Sequence, residues 1–229
     1  MFSEPAMSKP IVIFGTGDIA EVAHFYFTHD ALRARRVVAF TVHAQYVKEA
    51  TFCGLPVVAF EDIERRFAPG DVELFVATSY AGLNKVRQSM VAQCQSKGYA
   101  LASYLSSKAT VWDGFVLGTN CFILEDNTLQ PFVRIGNNVT LWSGNHIGHH
   151  SMIDDHCFIA SHVVVSGGVK IGTHCFIGVN ATIRDHVSIG ESCVIGAGAL
   201  IAADAADFGV YAGAATERSR VPSNRLRNL

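Results

Sequence analysis

The C-terminal half of the chain shows a hydrophobic pattern with a period of six residues. Counting in sixes from Leu105 to Ile201, every position holds a branched aliphatic residue. Such residues fill about a quarter of an ordinary chain, so this unbroken run has a chance probability on the order of 10⁻¹⁰. Neither the helical period nor simple strand alternation explains the spacing. Short strands joined by turns, three to a triangular coil of eighteen residues, do explain it.

The remaining positions of the period support the same coil. Glycine directly follows the aliphatic residue in seven repeats, which suits a tight corner. The fourth residue after each aliphatic residue is usually small or β-branched and is expected to fill the core, as in Cys121, Val139, Ser151, Cys157, Ala181 and Ala199. Four of the six cysteines occupy this core-filling position, and none forms a C-x-x-C pair, so we expect free thiols.

The N-terminal part has a different pattern, in which apolar runs at 11–14, 37–40 and 74–78 alternate with helix-like segments at 19–29, 61–67 and 83–97. This alternation predicts a small Rossmann-like α/β domain with a parallel sheet. The predicted organisation is a domain over 1–104, a coil over 105–201 and a C-terminal tail over 202–229. The first strand runs into Gly15, Thr16, Gly17 and Asp18, a GxGxxA turn that would direct backbone N–H groups at an anion.

Composition narrows the class of partner. The chain has 229 residues, is 49% hydrophobic and 17% charged, and carries a formal net charge of −2. This balance argues against nucleic acid or a membrane surface as a partner and favours a small molecule. The first ten residues lack a signal-peptide core, and no segment approaches the ~20 apolar residues of a membrane span, so we expect a cytoplasmic protein.

The glycine turn alone does not indicate a redox enzyme. A ribose-binding acid is expected at the end of the second strand, but Phe40-Thr41-Val42-His43 contains none, which argues against hydride transfer. The turn is therefore interpreted either as a phosphate site or as a helix-capping turn that binds nothing.

Histidines are the candidate catalytic residues. Acyl transfer to an amine or hydroxyl needs a base near neutral pH, and three histidines crowd at positions 146, 149 and 150. One coil beyond His149 lies Gly167, and one coil beyond His150 lies Gly168, so these glycines would leave an open notch above the histidines. The other view is that corner histidines are solvated or stacked, with His156 and His174 about 4.8 Å apart. Two such ligands make a poor metal site, and we expect no metal.

The aliphatic register, unbroken from Leu105 to Ile201, resembles that of the hexapeptide-repeat acyltransferases. Joined to the N-terminal α/β half, it resembles the sialic-acid O-acetyltransferase and bacterial nucleotide-amino-sugar N-acetyltransferase family. The resemblance implies a left-handed parallel β-helix, acetyl-CoA as cosubstrate, a homotrimer and a role in surface-glycan synthesis. Alternatives are O-acetylation of a free sugar such as a sialic acid, or a non-catalytic β-helix scaffold. The choice between amine and hydroxyl stays open, as do the sugar and the nucleotide.

The resemblance also assigns residues. The stretch from Val169 to Gly172 aligns His149 with the family's catalytic base, with His146 and His162 as alternatives. A carboxylate often follows that base, but here His150 does, which leaves Asp154 and Asp155 as substitute partners. The turn from Gly15 to Asp18 would hold the phosphates of a nucleotide-linked sugar. The tail from Ser219 to Leu229, with arginines at 220, 225 and 227, either contacts coenzyme phosphates or is solvated. The implied coenzyme contacts are Gly167, Gly178, Asn180, Ala181, Gly196 and Ala197.

Overall fold

A computed structural model describes residues 8–218 and 220–225. The first seven residues, Ser219 and residues 226–229 lie outside the described residues. Most of the N-terminal segment in which we expect no signal sequence therefore lies outside the described residues, and so does the tail residue Arg227. Among the described residues, no helix combines the length and the hydropathy that crossing a bilayer requires.

The N-terminal half contains a six-stranded sheet with the order β3-β4-β2-β1-β5-β6. All neighbouring strands are parallel except β3 and β4, which form an antiparallel pair. Helices pack beside this sheet, and 3-10 turns occupy Ala44–Tyr46 and Phe60–Asp62. The elements are β1 (Ile11–Phe14), α1 (Asp18–His29), β2 (Val37–Val42), β3 (Thr51–Phe52), β4 (Leu55–Ala59), α2 (Ile63–Arg66), β5 (Glu73–Val76), α3 (Lys85–Ser96) and β6 (Ala100–Leu101).

The apolar runs of the sequence correspond to the central strands. β1 is buried at all four positions, because parallel strands between layers are covered on both faces. The pattern missed the β3–β4 hairpin, whose turn uses positive φ at Cys53 (48°) and Gly54 (75°). Strand β3 has only two residues, too few to show an alternating pattern.

The repeat forms a parallel β-helix of two-residue strands. Up to β22, each strand pairs with the strand one coil away, eighteen residues along, as in Phe158↔Phe176 and Ile159↔Ile177. Three flat sheets result, which form the faces of a prism. The strands are β7 (Tyr104–Leu105), β8 (Val116–Leu117), β9 (Phe122–Ile123), β10 (Thr128–Leu129), β11 (Arg134–Ile135), β12 (Thr140–Leu141), β13 (His146–Ile147), β14 (Met152–Ile153), β15 (Phe158–Ile159), β16 (Val164–Val165), β17 (Lys170–Ile171), β18 (Phe176–Ile177), β19 (Thr182–Ile183), β20 (Ser188–Ile189), β21 (Val194–Ile195), β22 (Leu200–Ile201) and β23 (Val210–Tyr211).

The prism core consists of the residues that the six-residue period marks. The aliphatic positions from Ile123 to Ile201 are at most 5% exposed, and the predicted core fillers lie among them. The six cysteines are free thiols, as predicted. The thiols of Cys157 and Cys175 donate to the carbonyls of Gly172 (3.1 Å) and Gly190 (3.0 Å) in the next coil, which satisfies these groups inside the prism.

The last coil extends beyond the regular register. Val210 pairs with Val194 and Tyr211 with Ile195, sixteen residues apart instead of eighteen. The final turn is therefore two residues shorter, which explains why the six-residue count stops at Ile201. The predicted tail boundary marks the end of the register but not the end of the coil.

A ladder of turn residues joins the prism to the N-terminal domain. Asn120 accepts from the backbone N–H of Val76 (2.7 Å) and donates to Asn138 (2.8 Å). Asn138 contacts Nδ1 of His156 at 3.0 Å, and the ring of His156 lies 4.9 Å from that of His174. This separation agrees with the predicted spacing of about 4.8 Å, but the ring planes are inclined by 37° and are not stacked face to face. These four turn residues, Asn120, Asn138, His156 and His174, all have φ between 54° and 64°, and we call them the inner edge.

Helix α3 contributes a buried cation to the same contact. Arg87 donates to the hydroxyl of Thr140 (2.7 Å) and to the carbonyl of Asn138 (2.9 Å). Burial lowers the pKa of Arg87 to about 10, so the guanidinium is charged at neutral pH. Gln88 of the same helix bonds Nε2 of His174 at 3.1 Å. The two halves are therefore joined through polar groups that leave water on folding.

We expect this contact to weaken at acidic pH. Burial lowers the pKa of both His156 and His174 below the ordinary value of 6.5, so the unfolded chain binds protons more readily. Their contribution to the free energy of unfolding is present above pH 6.5 and is lost as the pH falls through the folded-state values. Asp155, Lys85 and Glu191 perturb the pair less than burial does.

Thermal unfolding between pH 7.5 and pH 5 measures this effect. The variant His156→Asn/His174→Asn should lose less stability over that range, because asparagine already occupies the two preceding positions of the ladder and tolerates positive φ. An identical pH dependence in the two proteins would contradict the assignment.

Candidate active site

The coils turn at three edges of the prism. One is the inner edge, and the candidate turn residues lie on the other two. The members of each edge stack one coil apart. The His149 edge comprises Phe132, His149, His150, Gly167, Gly168 and His186. The His162 edge comprises Gly144, His162, Gly178, Asn180, Gly196 and Ala197.

His149 is the first residue of an exposed two-residue turn. Its backbone N–H donates to Oε1 of Gln130 in the coil before, at 2.9 Å. Its imidazole lies against Gly167, since a Cβ at that glycine would stand 2.7 Å from both Cε1 and Nε2. The missing side chain at position 167 therefore makes room for the imidazole of His149.

The predicted open notch above the two histidines is wrong. The imidazole of His149 itself occupies the space beside Gly167. Gly168 lies against the ring of His186, whose Nδ1 would be 2.5 Å from an added Cβ. Both glycine positions of this edge are therefore filled by an imidazole of a neighbouring coil.

The predicted acidic partners of His149 are also wrong. Asp155 lies at the next turn along the chain and accepts from the backbone N–H of Asn137 at 2.6 Å. Asp154 is its neighbour along the chain, and burial, followed by repulsion from Asp155, raises the pKa of Asp154. Nδ1 of His149 instead lies 3.1 Å from Nδ1 of His150. The sequence shows that His150 follows His149, but it does not show that the two imidazole rings are in contact.

The two alternative bases lie elsewhere. His146 belongs to β13, on the face between the His162 and His149 edges, and is half-buried between Thr128 and Val164. His162 is an exposed turn residue of the other edge, and its ring packs against Gly144. The structure therefore brings His149 and His150 together and leaves His162 at a different edge.

The positions predicted for coenzyme A differ in accessibility. Ala181 is fully buried in the prism core and cannot offer a surface contact, so that prediction is wrong. Gly178 is buried as well, because a Cβ there would stand 2.6 Å from the backbone nitrogen of Ala197 in the next coil. Asn180 and Ala197 are exposed and Gly196 is half-buried, so these three remain available. They lie on the His162 edge, whereas Gly167 lies on the His149 edge.

The glycine turn opens into a pocket of about 850 Å³ on the N-terminal domain. Gly15 has φ of 133°, and its hydrogen lies against the carbonyl of Ala77, so this glycine is required by the backbone. Gly17 has ordinary φ and open space around it, and it stands at the N-terminus of the twelve-residue helix α1. The free N–H groups of this helix end face the pocket and favour an anion. Thr16 and Asp18 line the same pocket.

An acid does reach the end of β2, although the sequence pattern indicated none. Glu61 accepts from Nδ1 of His43 and from the backbone N–H of Ala44, both at 2.9 Å. The hydrogen bond from His43 lowers the pKa of Glu61. His43 lines the pocket opposite the glycine turn together with Gln45 and Tyr46. The acid comes from the segment after β4, so reading along β2 alone could not find it.

The described residues contain no cluster of three histidine, cysteine or carboxylate side chains that could hold a metal ion. The neighbouring rings of His156 and His174 contact Asn138 and Gln88, respectively.

Comparison with known proteins agrees with this architecture. The bacterial transferase hexapeptide (six repeats) family matches residues 132–167 and 168–203. No curated protein sequence matches the chain significantly. A histidine-to-asparagine variant of perosamine N-acetyltransferase from Caulobacter crescentus, in complex with CoA and GDP-perosamine, has a TM-score of 0.78 at 23% identity, covering 90% of this chain and 93% of that one.

Two further solved structures are similar. The acetyltransferase domain of PglB from Neisseria gonorrhoeae has a TM-score of 0.79 at 21% identity, covering 90% of this chain and 97% of that one. WeeI from Acinetobacter baumannii has a TM-score of 0.55 at 16% identity, covering 85% of this chain and 95% of that one. The chain thus carries the hexapeptide repeat of bacterial transferases, and its fold is the predicted α/β domain followed by a left-handed parallel β-helix.

Proposed function

We propose that this protein is an acetyl-CoA-dependent N-acetyltransferase whose acceptor is a nucleotide-linked amino sugar used in surface-glycan synthesis. The observation that carries the proposal is the exposed, positioned imidazole of His149 on the β-helix, joined to an N-terminal domain whose glycine turn opens into a separate pocket. The similar structure from Caulobacter crescentus contains CoA and GDP-perosamine, which supports this pair of substrate classes. A cytoplasmic location fits substrates of this kind.

His149 serves as the general base in this proposal. Its Nε2 accepts the proton of the acceptor amine as the amine nitrogen attacks the thioester carbonyl. The carbon–sulfur bond then breaks, and the imidazolium returns the proton to the thiolate of CoA. An imidazole is suited to both steps because its ordinary pKa lies close to neutral pH.

The glycine-turn pocket serves the nucleotide. Its volume of about 850 Å³ lies in the range of small-molecule sites. Gly17 and the N-terminus of α1 provide N–H groups for a phosphate, and the opposite wall with His43, Gln45 and Tyr46 is placed to contact the base or ribose. Thr16 and Asp18 complete the phosphate side of the pocket.

We further propose that the protein works as a homotrimer. His149 and Gly167 lie on one edge of the prism, whereas the accessible coenzyme positions Asn180, Gly196 and Ala197 lie on another. A closed ring of three prisms would bring the His149 edge of one subunit near the His162 edge of the next. Sedimentation should therefore give three times the chain mass of 24.7 kDa. A monomer at micromolar concentration would contradict both the ring and a site shared between subunits.

Direct assay tests the activity. Purified protein is incubated with acetyl-CoA and a panel of amino sugars linked to UDP, GDP or dTDP, and mass spectrometry detects the gain of one acetyl group. A ligand present at 100 times its Kd should also raise the free energy of unfolding by about 2.7 kcal/mol. Acetylation of a free sugar hydroxyl alone would favour the O-acetyltransferase alternative. Absence of acetyl-CoA binding would favour the scaffold.

A further inference from the structure

The imidazoles of His149 and His150 form one hydrogen-bonded unit. Their Nδ1 atoms lie 3.1 Å apart, and the ring planes are inclined by 86°. When both rings are neutral, one Nδ1 must carry the proton and the other must accept it, because two lone pairs or two N–H groups would repel. The tautomer of one histidine therefore fixes the tautomer of the other.

His150 also contacts the coil before its own. The ring of Phe132, one coil earlier, lies 4.6 Å from the ring of His150. The backbone N–H of His150 donates to the carbonyl of Pro131 at 3.2 Å. Both ring-bearing residues have positive φ, 69° at Phe132 and 59° at His150, a conformation that glycine and asparagine adopt more easily. The backbone at position 150 therefore accepts glycine or asparagine, which allows the imidazole to be removed without strain.

We propose that His150 is the positioning residue of the base, accepting the N–H of His149 Nδ1 so that the Nε2 lone pair of His149 is free. This inference rests on the proposed function, in which His149 removes the acceptor's proton. During the reaction the amine proton moves to Nε2 of His149 and then to the departing thiolate, while the Nδ1 proton stays between the two rings. His150 thereby takes the place of the carboxylate that the sequence lacks.

A neutral partner has a chemical consequence. A carboxylate beside an imidazole stabilises the imidazolium and raises its pKa, typically by 1–3 units, whereas a neutral imidazole does so far less. Exchanging His150 for an acid should therefore raise the pH at which activity is lost on acidification. Arg134 shares a pocket of about 510 Å³ with His150, and His186 packs against Gly168. Asp185, the turn residue before His186, places a carboxylate on the same edge two coils beyond His149, but the hydrogen bond of His149 Nδ1 is made with His150.

Three substitutions separate positioning from structure. His150→Gly removes the imidazole at a backbone conformation that glycine prefers, and it should lower kcat by roughly 10- to 100-fold with little change in KM for acetyl-CoA. His150→Asn retains a side-chain acceptor at the same φ and should recover most of kcat. His150→Asp should retain activity at high pH and move the acidic limb of the kcat/KM profile upward by about one pH unit or more.

A measurement without turnover completes the test. Long-range ¹H–¹⁵N correlation spectra of histidine-labelled protein, assigned with His149→Ala, should show the Nδ1–H tautomer of His149 in the wild type and its loss in His150→Gly. The Nε2–H tautomer in the wild type, or an unchanged kcat and pH profile in His150→Gly, would overturn the inference. A wild type with the Nδ1–H tautomer but no acetyl transfer would support the pairing and refute the proposed function instead.

Discussion

Replacing His149 with alanine should lower kcat by roughly 10²- to 10⁴-fold, because a positioned base contributes about that much to proton transfer. The affinity for acetyl-CoA should stay nearly unchanged, since the base acts on the transition state and not on the bound donor. The fold should survive as well, because His149 is an exposed turn residue with ordinary φ. Steady-state kinetics and titration calorimetry with acetyl-CoA measure the two quantities separately.

The matched control for this variant is another turn histidine of the same edge. His186 is exposed, has φ of 57° and packs against Gly168, so His186→Asn removes an imidazole without straining the backbone. Its kcat should remain near the wild-type value. His156 and His174 are poorer controls, because they belong to the contact with the N-terminal domain. If His149→Ala turns over at a near wild-type rate while His146→Ala or His162→Ala is inactive, the base is that other histidine.

The residual activity of His149→Ala identifies the acceptor class. An amine that must lose a proton to the base loses it to solvent as the pH rises, so the variant should recover part of its rate at alkaline pH. A hydroxyl acceptor has a far higher pKa and should show no such recovery in the same range. The pH profile of the variant therefore separates N-acetylation from O-acetylation.

Gly167→Ala tests the position of the His149 imidazole by displacing it sterically. The added methyl group would stand 2.7 Å from the ring of His149, which is exposed and free to rotate away. The backbone at Gly167 has no positive φ, so the prism should keep its stability while the imidazole leaves its position. A fall in kcat with an unchanged melting temperature would show that catalysis depends on where this ring lies.

The β-helix could be predicted from the sequence because the repeat is local and strictly periodic. Positions eighteen residues apart stack directly, so the neighbours His149 and Gly167 followed from counting alone. The directions of the side chains did not follow. His162 and His186 bend back toward Gly144 and Gly168, whereas His149 bends forward toward Gly167. The direction of each side chain depends on its rotamer and on the space left by neighbouring coils. The six-residue period of the sequence contains neither.

The contacts between the two halves were even less visible in the sequence. Arg87 lies in the first turn of a polar helix, and nothing in its neighbours marks it as a buried guanidinium that donates to the carbonyl of Asn138. Glu61 reaches the end of β2 from a segment eighteen residues later. Contacts of this kind arise only when separate elements pack together. They explain why the sequence indicated a phosphate site but missed the opposite wall of its pocket.

Replacing Gly17 with valine should abolish binding of the nucleotide-linked acceptor, with a loss of roughly 100-fold or more, and leave acetyl-CoA binding intact. Gly17 lines the pocket, has ordinary φ and has no atom within 4 Å of an added Cβ, so valine fits the fold but fills the space that a phosphate would approach. Gly15→Ala is the contrasting variant, because its Cβ would stand 2.7 Å from the carbonyl of Ala77 at φ of 133°.

Calorimetry with each ligand, together with thermal unfolding, separates the two glycines. Gly15→Ala should lower the melting temperature, since strain at that φ and the clash with a backbone carbonyl act on the folded state itself. Gly17→Val should melt like the wild type and fail only with the acceptor. Equal loss of both ligands in Gly17→Val, or loss of neither, would mean that the turn only caps helix α1. In that case the pocket lined by His43 and Tyr46 would have to bind its ligand without a phosphate contact at the helix end.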